Sequence, residues 1–303
     1  MSEFPKTGPV TLKANVADYP VTRALKAGEV SSPLVNFDFC GPKVANQGFK
    51  PMVREGKFDV GELAICTFLQ AKTYGKPFII LPAVVMARFQ HHTIQYNASR
   101  GELAPKDLEG RRVAIRSYTQ TTGVWVRGIL QHEYGVDLRR VRWACMDDAH
   151  LAEYKDPSFV ERLDPKGKPI DQMLIDGDVD AAIMPADLTK DHTHIRYLFP
   201  NPQETARAWA KKHGVVPINH MFAVKSALAD ARPDILPELF RVLLESKKAA
   251  PPSPDGIDFH PFGVEACRAA IDMAIRFSVE QEIIPHGFTV DELFDDRTRN
   301  LKP

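Results

Sequence analysis

Residues 58–134 constrain the fold of this chain most, because short apolar runs alternate there with stretches of helical periodicity that end in glycine. Over 62–72, apolar and small residues recur at helical spacing, with Leu63, Cys66, Leu69 and Gln70 on neighbouring turns. Gly75-Lys76-Pro77 stops the pattern, which predicts a helix opened by Glu62. The apolar run 78–85, interrupted by Pro82, predicts a covered parallel strand that reaches a sheet edge and leaves it. After the polar cluster 88–92, Thr93-Ile94-Gln95-Tyr96 alternates like a strand, and 105–110 reads as one helical turn closed by Gly110. A new sheet is expected from Arg112, with a strand over 112–116 that enters Ser117-Tyr118-Thr119-Gln120-Thr121-Thr122-Gly123 and then a helix over 124–134 ending at Gly135.

That last junction gathers hydroxyls where a helix offers unpaired amides and the positive end of its dipole. It suits a carboxylate or a phosphate. An ordinary Ser/Thr N-cap is the plain alternative. The spacing of a nucleotide-binding loop, GxxxxGK[ST], is missing, which disfavours ATP.

Further along, strands are expected over 140–144, 179–184 and 216–224, and helices over 170–176, 203–213, 233–248 and 264–284. PPSPDG reads as a linker. The pattern is α/β with two discontinuous lobes, 1–93 plus 218–303 and 94–217, joined by two crossing strands. Ligands of open α/β sheets lie beyond the carboxyl ends of the strands, which points the loops carrying Thr22, Arg23, Glu62, Arg88, His91, His92, 116–122 and His220 toward a cleft between the lobes.

Composition narrows the function classes. Lys plus Arg equals Asp plus Glu at 39 each, and no basic block occurs, so neither nucleic acid nor a membrane surface is an expected partner. The start MSEFPKTGPV has no apolar core of a signal peptide and no 18-residue apolar run exists, so the expected location is cytoplasmic. Cys40, Cys66, Cys145 and Cys267 are far apart in mostly apolar contexts, and reduced, buried thiols are expected.

The chain resembles the 4,5-dihydroxyphthalate decarboxylase family. The resemblance rests on the order of Asp18-Tyr19 with Thr22-Arg23, Phe58-Asp59-Val60 with Glu62, Phe89 with His91 and Ile94, Tyr118 with Thr121, and Val124-Trp125. It continues through 127–136, Pro217-Ile218 with His220, 261–266 and Glu292-Leu293-Phe294. It implies a two-lobed type II periplasmic-binding-protein-like fold with its ligand cleft between the lobes. It also implies a carboxy-lyase without cofactor, acting on a small aromatic carboxylate, with an assembly of identical copies compatible with the chain.

Arginine forks match carboxylates, so Arg23, Arg88 and Arg116 are the expected clamps of a dianionic substrate, with Tyr118, Thr121 and Thr122 beside them. Each arginine reads equally as a surface ion pair. Arg127 is expected to pack beside Trp125. Replacing CO2 by a proton needs a general acid near neutral pH, which suits His91 or His220, with Glu62 orienting a histidine or taking a phenolic proton. A hydrogen-bonded structural histidine is the competing reading.

The chain departs from the family at Gln90, where an arginine is usual, at His92, and at Pro185-Ala186-Asp187, where a basic residue is usual. These departures argue against an identical substrate. His192 and His194 with Asp187 or Asp191 form a weak metal motif, and no obligatory metal is expected. Two alternatives stay open: a solute-binding protein for a small aromatic acid, and another lyase or dehydratase on the same scaffold.

Overall fold

The computed structural model describes residues 4–303, which divide into two compact units. The first takes the chain up to Arg88, then Ile218–Val279 and Ile284–Pro303; the second is Phe89–Pro217 with Glu280–Ile283. The chain thus changes unit five residues earlier than the expected boundary at 93/94, and 280–283 falls with the second unit.

In chain order the first unit contributes β1 (Val10–Asn15), α1 (Pro20–Lys26), β2 (Val35–Asp38), α2 (Phe49–Glu55), β3 (Val60–Ala64), α3 (Ile65–Thr73) and β4 (Phe78–Ala87). The second holds β5 (Ile94–Asn97), β6 (Arg112–Ile115), α4 (Thr121–Tyr134), β7 (Arg142–Cys145), β8 (Val160–Arg162), α5 (Ile170–Asp176), β9 (Ala181–Ile183), β10 (Ile195–Tyr197) and α6 (Pro202–His213). The chain then returns through β11 (Ile218–Lys225), α7 (Ser226–Ala231), α8 (Ile235–Ala249) and α9 (Val264–Glu280).

The first sheet runs β2-β1-β3-β11-β4, with β1 parallel to both β2 and β3, and β11 antiparallel to both β3 and β4. Its core sets Leu12 and Ala14 of β1, Leu81, Ala83 and Val85 of β4, and Phe222 and Val224 of β11 against Leu236, Leu239 and Phe240 of α8. Such alternation along each strand is the period-2 signature of a sheet face packed on a helix. The second sheet runs β10-β5-β9-β6-β7-β8, with β5 antiparallel to β9 and to β10 and the rest parallel. Ala114 and Ala182 there pack on Leu174 of α5.

Six sequence expectations need correction. Glu62 does not open a helix: β3 occupies 60–64 and the helix begins at Ile65. All five residues of β3 are buried, and a strand covered on both faces loses the alternation that would separate it from a helix. β4 pairs antiparallel with β11 rather than parallel, because β11 returns into the sheet between β3 and β4 and runs opposite to both. It is the edge strand that Pro82 signals, and the edge is covered by Gly263 N–H donating to the Pro82 carbonyl (2.8 Å) and Val84 N–H to that of Pro261 (3.2 Å). The second sheet begins at β5, not at Arg112. The helix expected over 264–284 ends at Glu280, the one over 233–248 begins at Ile235, and Cys40 is exposed while the other three thiols are buried.

Candidate functional site

The first unit brings three donors from two distant parts of the sequence around one carboxylate. Glu62 lies in β3 opposite Phe222 of β11, and His220, two residues along β11, shares the same face as its diagonal neighbour. The pairing register of β11 with β4 shifts on either side of His220. The Glu62 side chain is fully buried, and its oxygens accept from three donors: Ala17 N–H to Oε1 (2.7 Å), Tyr19 O–H to Oε2 (2.9 Å) and His220 Nδ1 to Oε2 (2.5 Å). Both oxygens of the buried carboxyl group are thus hydrogen-bonded, as burial of such a group requires.

The turn that delivers two of those donors is a product of local sequence. Pro20 at the first helical position of α1 fits its fixed φ, and Thr22 replaces a serine-type cap by reaching backwards. Its hydroxyl accepts from Tyr19 N–H (2.9 Å) and donates to the Ala17 carbonyl (2.7 Å). Residues 17–22 are therefore locked, and Tyr19 presents its phenol to Glu62. Burial first, then the Glu62 charge and hydrogen bond, push the Tyr19 hydroxyl far above its usual pKa, so it stays a donor. Arg88, just beyond β4, is near enough to oppose that shift, and burial lowers its own pKa.

Because Glu62 only accepts, Nδ1 of His220 carries a proton and Nε2 is the variable nitrogen. The ring is 13% exposed and stands T-shaped to Phe49, with centroids 5.0 Å apart and planes at 86°. Nε2 has no hydrogen-bond partner among the described residues. An imidazole oriented at one nitrogen and open at the other can deliver or take a proton.

His91, the other candidate acid, lies in the second unit in different company. It is 1% exposed, against Phe199 (5.0 Å between rings) and Trp209 (6.1 Å). Burial, reinforced by neighbouring His92 and opposed by Glu133, lowers its pKa from 6.5 to about 4. It is neutral at physiological pH. Between about pH 4 and 6.5 the unfolded chain binds more protons at this residue than the folded one, so its contribution to stability is complete above pH 6.5 and vanishes as the pH falls to about 4. The size is about 3 kcal/mol at 1.36 kcal/mol per pKa unit. In urea unfolding at a series of pH values, His91→Leu should flatten that part of the wild-type profile. Parallel profiles for the two proteins would contradict the assignment.

The remaining candidates divide clearly. Arg23 makes an exposed ion pair with Asp18 (3.1 Å), the surface reading of that residue. Arg116 faces Asp147 at 3.5 Å with both side chains partly exposed. Thr121 and Thr122 are buried in the first turn of α4, near the hydrogen-bonded hydroxyls of Ser117 and Thr119 (3.2 Å). Tyr118 is 1% exposed, and its ring lies 4.0 Å under the Arg127 guanidinium. Arg127 therefore stacks on Tyr118, and on Trp143 at 5.3 Å, a contact its helix position next to Trp125 did not reveal. The His192 and His194 rings meet edge to face at 5.6 Å, and no group of three His, Cys, Asp or Glu able to hold a metal occurs among the described residues.

Sequence reading missed the Tyr19 phenol as a partner of Glu62. The dipeptide Tyr19-Pro20 signals a helix start. No local signal connects it to a residue 43 positions away.

No protein-family model matches the chain. A 4,5-dihydroxyphthalate decarboxylase of Comamonas testosteroni is 29% identical over 213 residues, covering 65% of this chain and 63% of that protein. One of Pseudomonas putida is 26% identical over 216 residues, covering 66% of this chain and 81% of its own length. Among solved structures, the alkanesulfonate-binding protein SsuA of Xanthomonas axonopodis pv. citri, bound to MOPS, aligns with a TM-score of 0.60 at 12% identity, over 95% of this chain and 99% of its own. The chain is therefore similar at family level to the 4,5-dihydroxyphthalate decarboxylases and carries the periplasmic-binding-protein fold.

Proposed function

We propose that this protein is a carboxy-lyase that removes CO2 from 4,5-dihydroxyphthalate or a related hydroxylated aromatic acid. The observation that carries the reading is the buried Glu62 holding Nδ1 of His220 while Nε2 lacks a protein partner among the described residues. The decarboxylase names of its relatives agree with it.

In the proposed reaction the hydroxyl para to the reacting carboxylate gives up its proton to solvent, which returns one to the product phenolate at the end, and its electrons move through the ring to the carbon bearing that carboxylate. That carbon takes the Nε2 proton of cationic His220, forming a dienone. The bond to the carboxylate then breaks, CO2 departs, and the bonding pair restores the aromatic phenolate. His220 is left neutral and recovers its proton from solvent. Glu62 stabilises the imidazolium and fixes its orientation, a role distinct from proton transfer. Tyr19 and Ala17 N–H hold Glu62 in place, and Arg88 is the proposed cationic partner of a carboxylate in the same unit. Thr121 and Thr122 remain proposed anion-binding groups of the second unit, and a cytoplasmic location and the absence of any cofactor belong to the same proposal.

A non-catalytic receptor for a small acid is the second reading, favoured by the SsuA-like fold. Incubating purified, EDTA-treated protein with 4,5-dihydroxyphthalate separates the two, with CO2 and the aromatic product followed by chromatography. The proposal expects protocatechuate to accumulate without added metal. Saturable binding with no CO2 over the background would leave the receptor reading.

A further inference from the structure

The ring of His220 packs against Phe49 (5.0 Å between ring centroids) as well as holding Glu62, and what fixes Phe49 lies at the end of β1. Asn15, the last residue of that strand, is fully buried, and its Nδ2 donates to the Ala45 carbonyl at 3.0 Å. Three glycines close on it. A Cβ at Gly41 would come within 2.5 Å of Asn15 Oδ1, one at Gly48 within 2.6 Å of its amide atoms, and one at Gly61 within 2.5 Å of its backbone carbonyl. Gly41 N–H also donates to the Ala14 carbonyl (3.2 Å), and Gly61 pairs with Asn15 across the sheet.

These approaches leave no room for a ligand around the amide, because the space that the missing side chains vacate is filled by Asn15 itself. The Asn15 amide therefore clasps the 41–48 segment to the end of the sheet. Gly48 is the residue before α2, so the clasp sets where α2 starts and where its first residue, Phe49, puts its ring. Phe49 is 1% exposed and its ring stands T-shaped to that of His220. An imidazole hydrogen-bonded at only one nitrogen can still swing about that bond, and the T-shaped contact with Phe49 opposes the swing.

We infer that Asn15 and Phe49 are positioning residues that aim Nε2 of His220, an inference that rests on reading His220 as the proton donor. A test free of substrate uses the His220 Nδ1–H resonance in the imidazole region of the ¹⁵N NMR spectrum, assigned by its disappearance in His220→Gln. Asn15→Ala and Phe49→Leu should each speed exchange of that proton about tenfold, as expected when a local contact protecting it is lost. Each should also lower turnover of 4,5-dihydroxyphthalate about tenfold with KM within about twofold, the cost of a misaimed but intact acid.

An unchanged resonance and exchange rate in Phe49→Leu, or in folded Asn15→Ala, overturns the inference. Should Asn15→Ala fail to fold, Phe49→Leu alone decides. Faster exchange in a protein that never turns over 4,5-dihydroxyphthalate supports the positioning and removes that substrate instead.

Discussion

Turnover of 4,5-dihydroxyphthalate should fall by about 10²-fold or more in His220→Gln, the typical worth of a positioned general acid. Glutamine keeps a donor near Glu62 and much of the ring volume, so the variant removes the transferable proton while the packing on Phe49 largely survives. Affinity measured by calorimetry should change by less than about threefold, because the interaction lost belongs to the transition state. His91→Gln serves as the contrast. With a pKa lowered to about 4, His91 carries almost no proton to donate at neutral pH, and its ring is enclosed by Phe199 and Trp209. A loss of turnover confined to His91→Gln would exchange the two roles and remove His220 from the mechanism.

Arg127→Leu should destabilise the protein by about 2–4 kcal/mol, the summed cost of stranded acceptors and a lost cation–π contact. Arg127 is fully buried; its Nε donates to Gln281 Oε1 (2.7 Å) and its Nη2 to the Tyr118 carbonyl (2.5 Å). Gln281 in turn donates to the Val124 carbonyl at 2.9 Å. Leucine leaves the Gln281 and Tyr118 oxygens buried without these donors. No carboxylate among the described residues hydrogen-bonds this guanidinium, so its removal strands no opposite charge, which keeps the cost below that of breaking a buried ion pair. Arg127→Lys should rescue poorly, since an ammonium lacks the planar fork that donates while stacking on Tyr118. Urea unfolding followed by tryptophan fluorescence measures the change, with Trp143 only 5.3 Å from the guanidinium. A loss below about 0.5 kcal/mol for the leucine variant would show that the network contributes nothing net, since surface-like substitutions fall within that range.

Elements whose periodicity and end signals agree were legible in the sequence. The helix over 170–176 ends at Gly177, and those ending at His213 and Tyr134 are capped by Gly214 and Gly135, all with positive φ. Each boundary is set within a few residues of chain, by a glycine that adopts the left-handed conformation cheaply. The edge position of β4 was also legible, because Pro82 lacks the N–H that a central strand must donate. Glu62 and His220 are recognisable as chemical groups from their type and from their place in a family resemblance.

Tertiary structure decided what those groups can do. Whether Glu62 belongs to a strand or a helix depended on β1 and β11 pairing with β3 along its two edges, and a run buried on both faces carries no periodicity to read. His220 and His91 are the same side chain with the same intrinsic chemistry. One holds a buried carboxylate 158 positions away in sequence, and the other is enclosed by aromatic rings. The difference arises because proton affinity, tautomer and access are properties of what surrounds a residue within a few ångströms, and for these two histidines the decisive neighbours come from remote parts of the chain. Residue types and local turn chemistry were thus set by the sequence itself, while only the long-range packing selected which histidine has an oriented, open nitrogen.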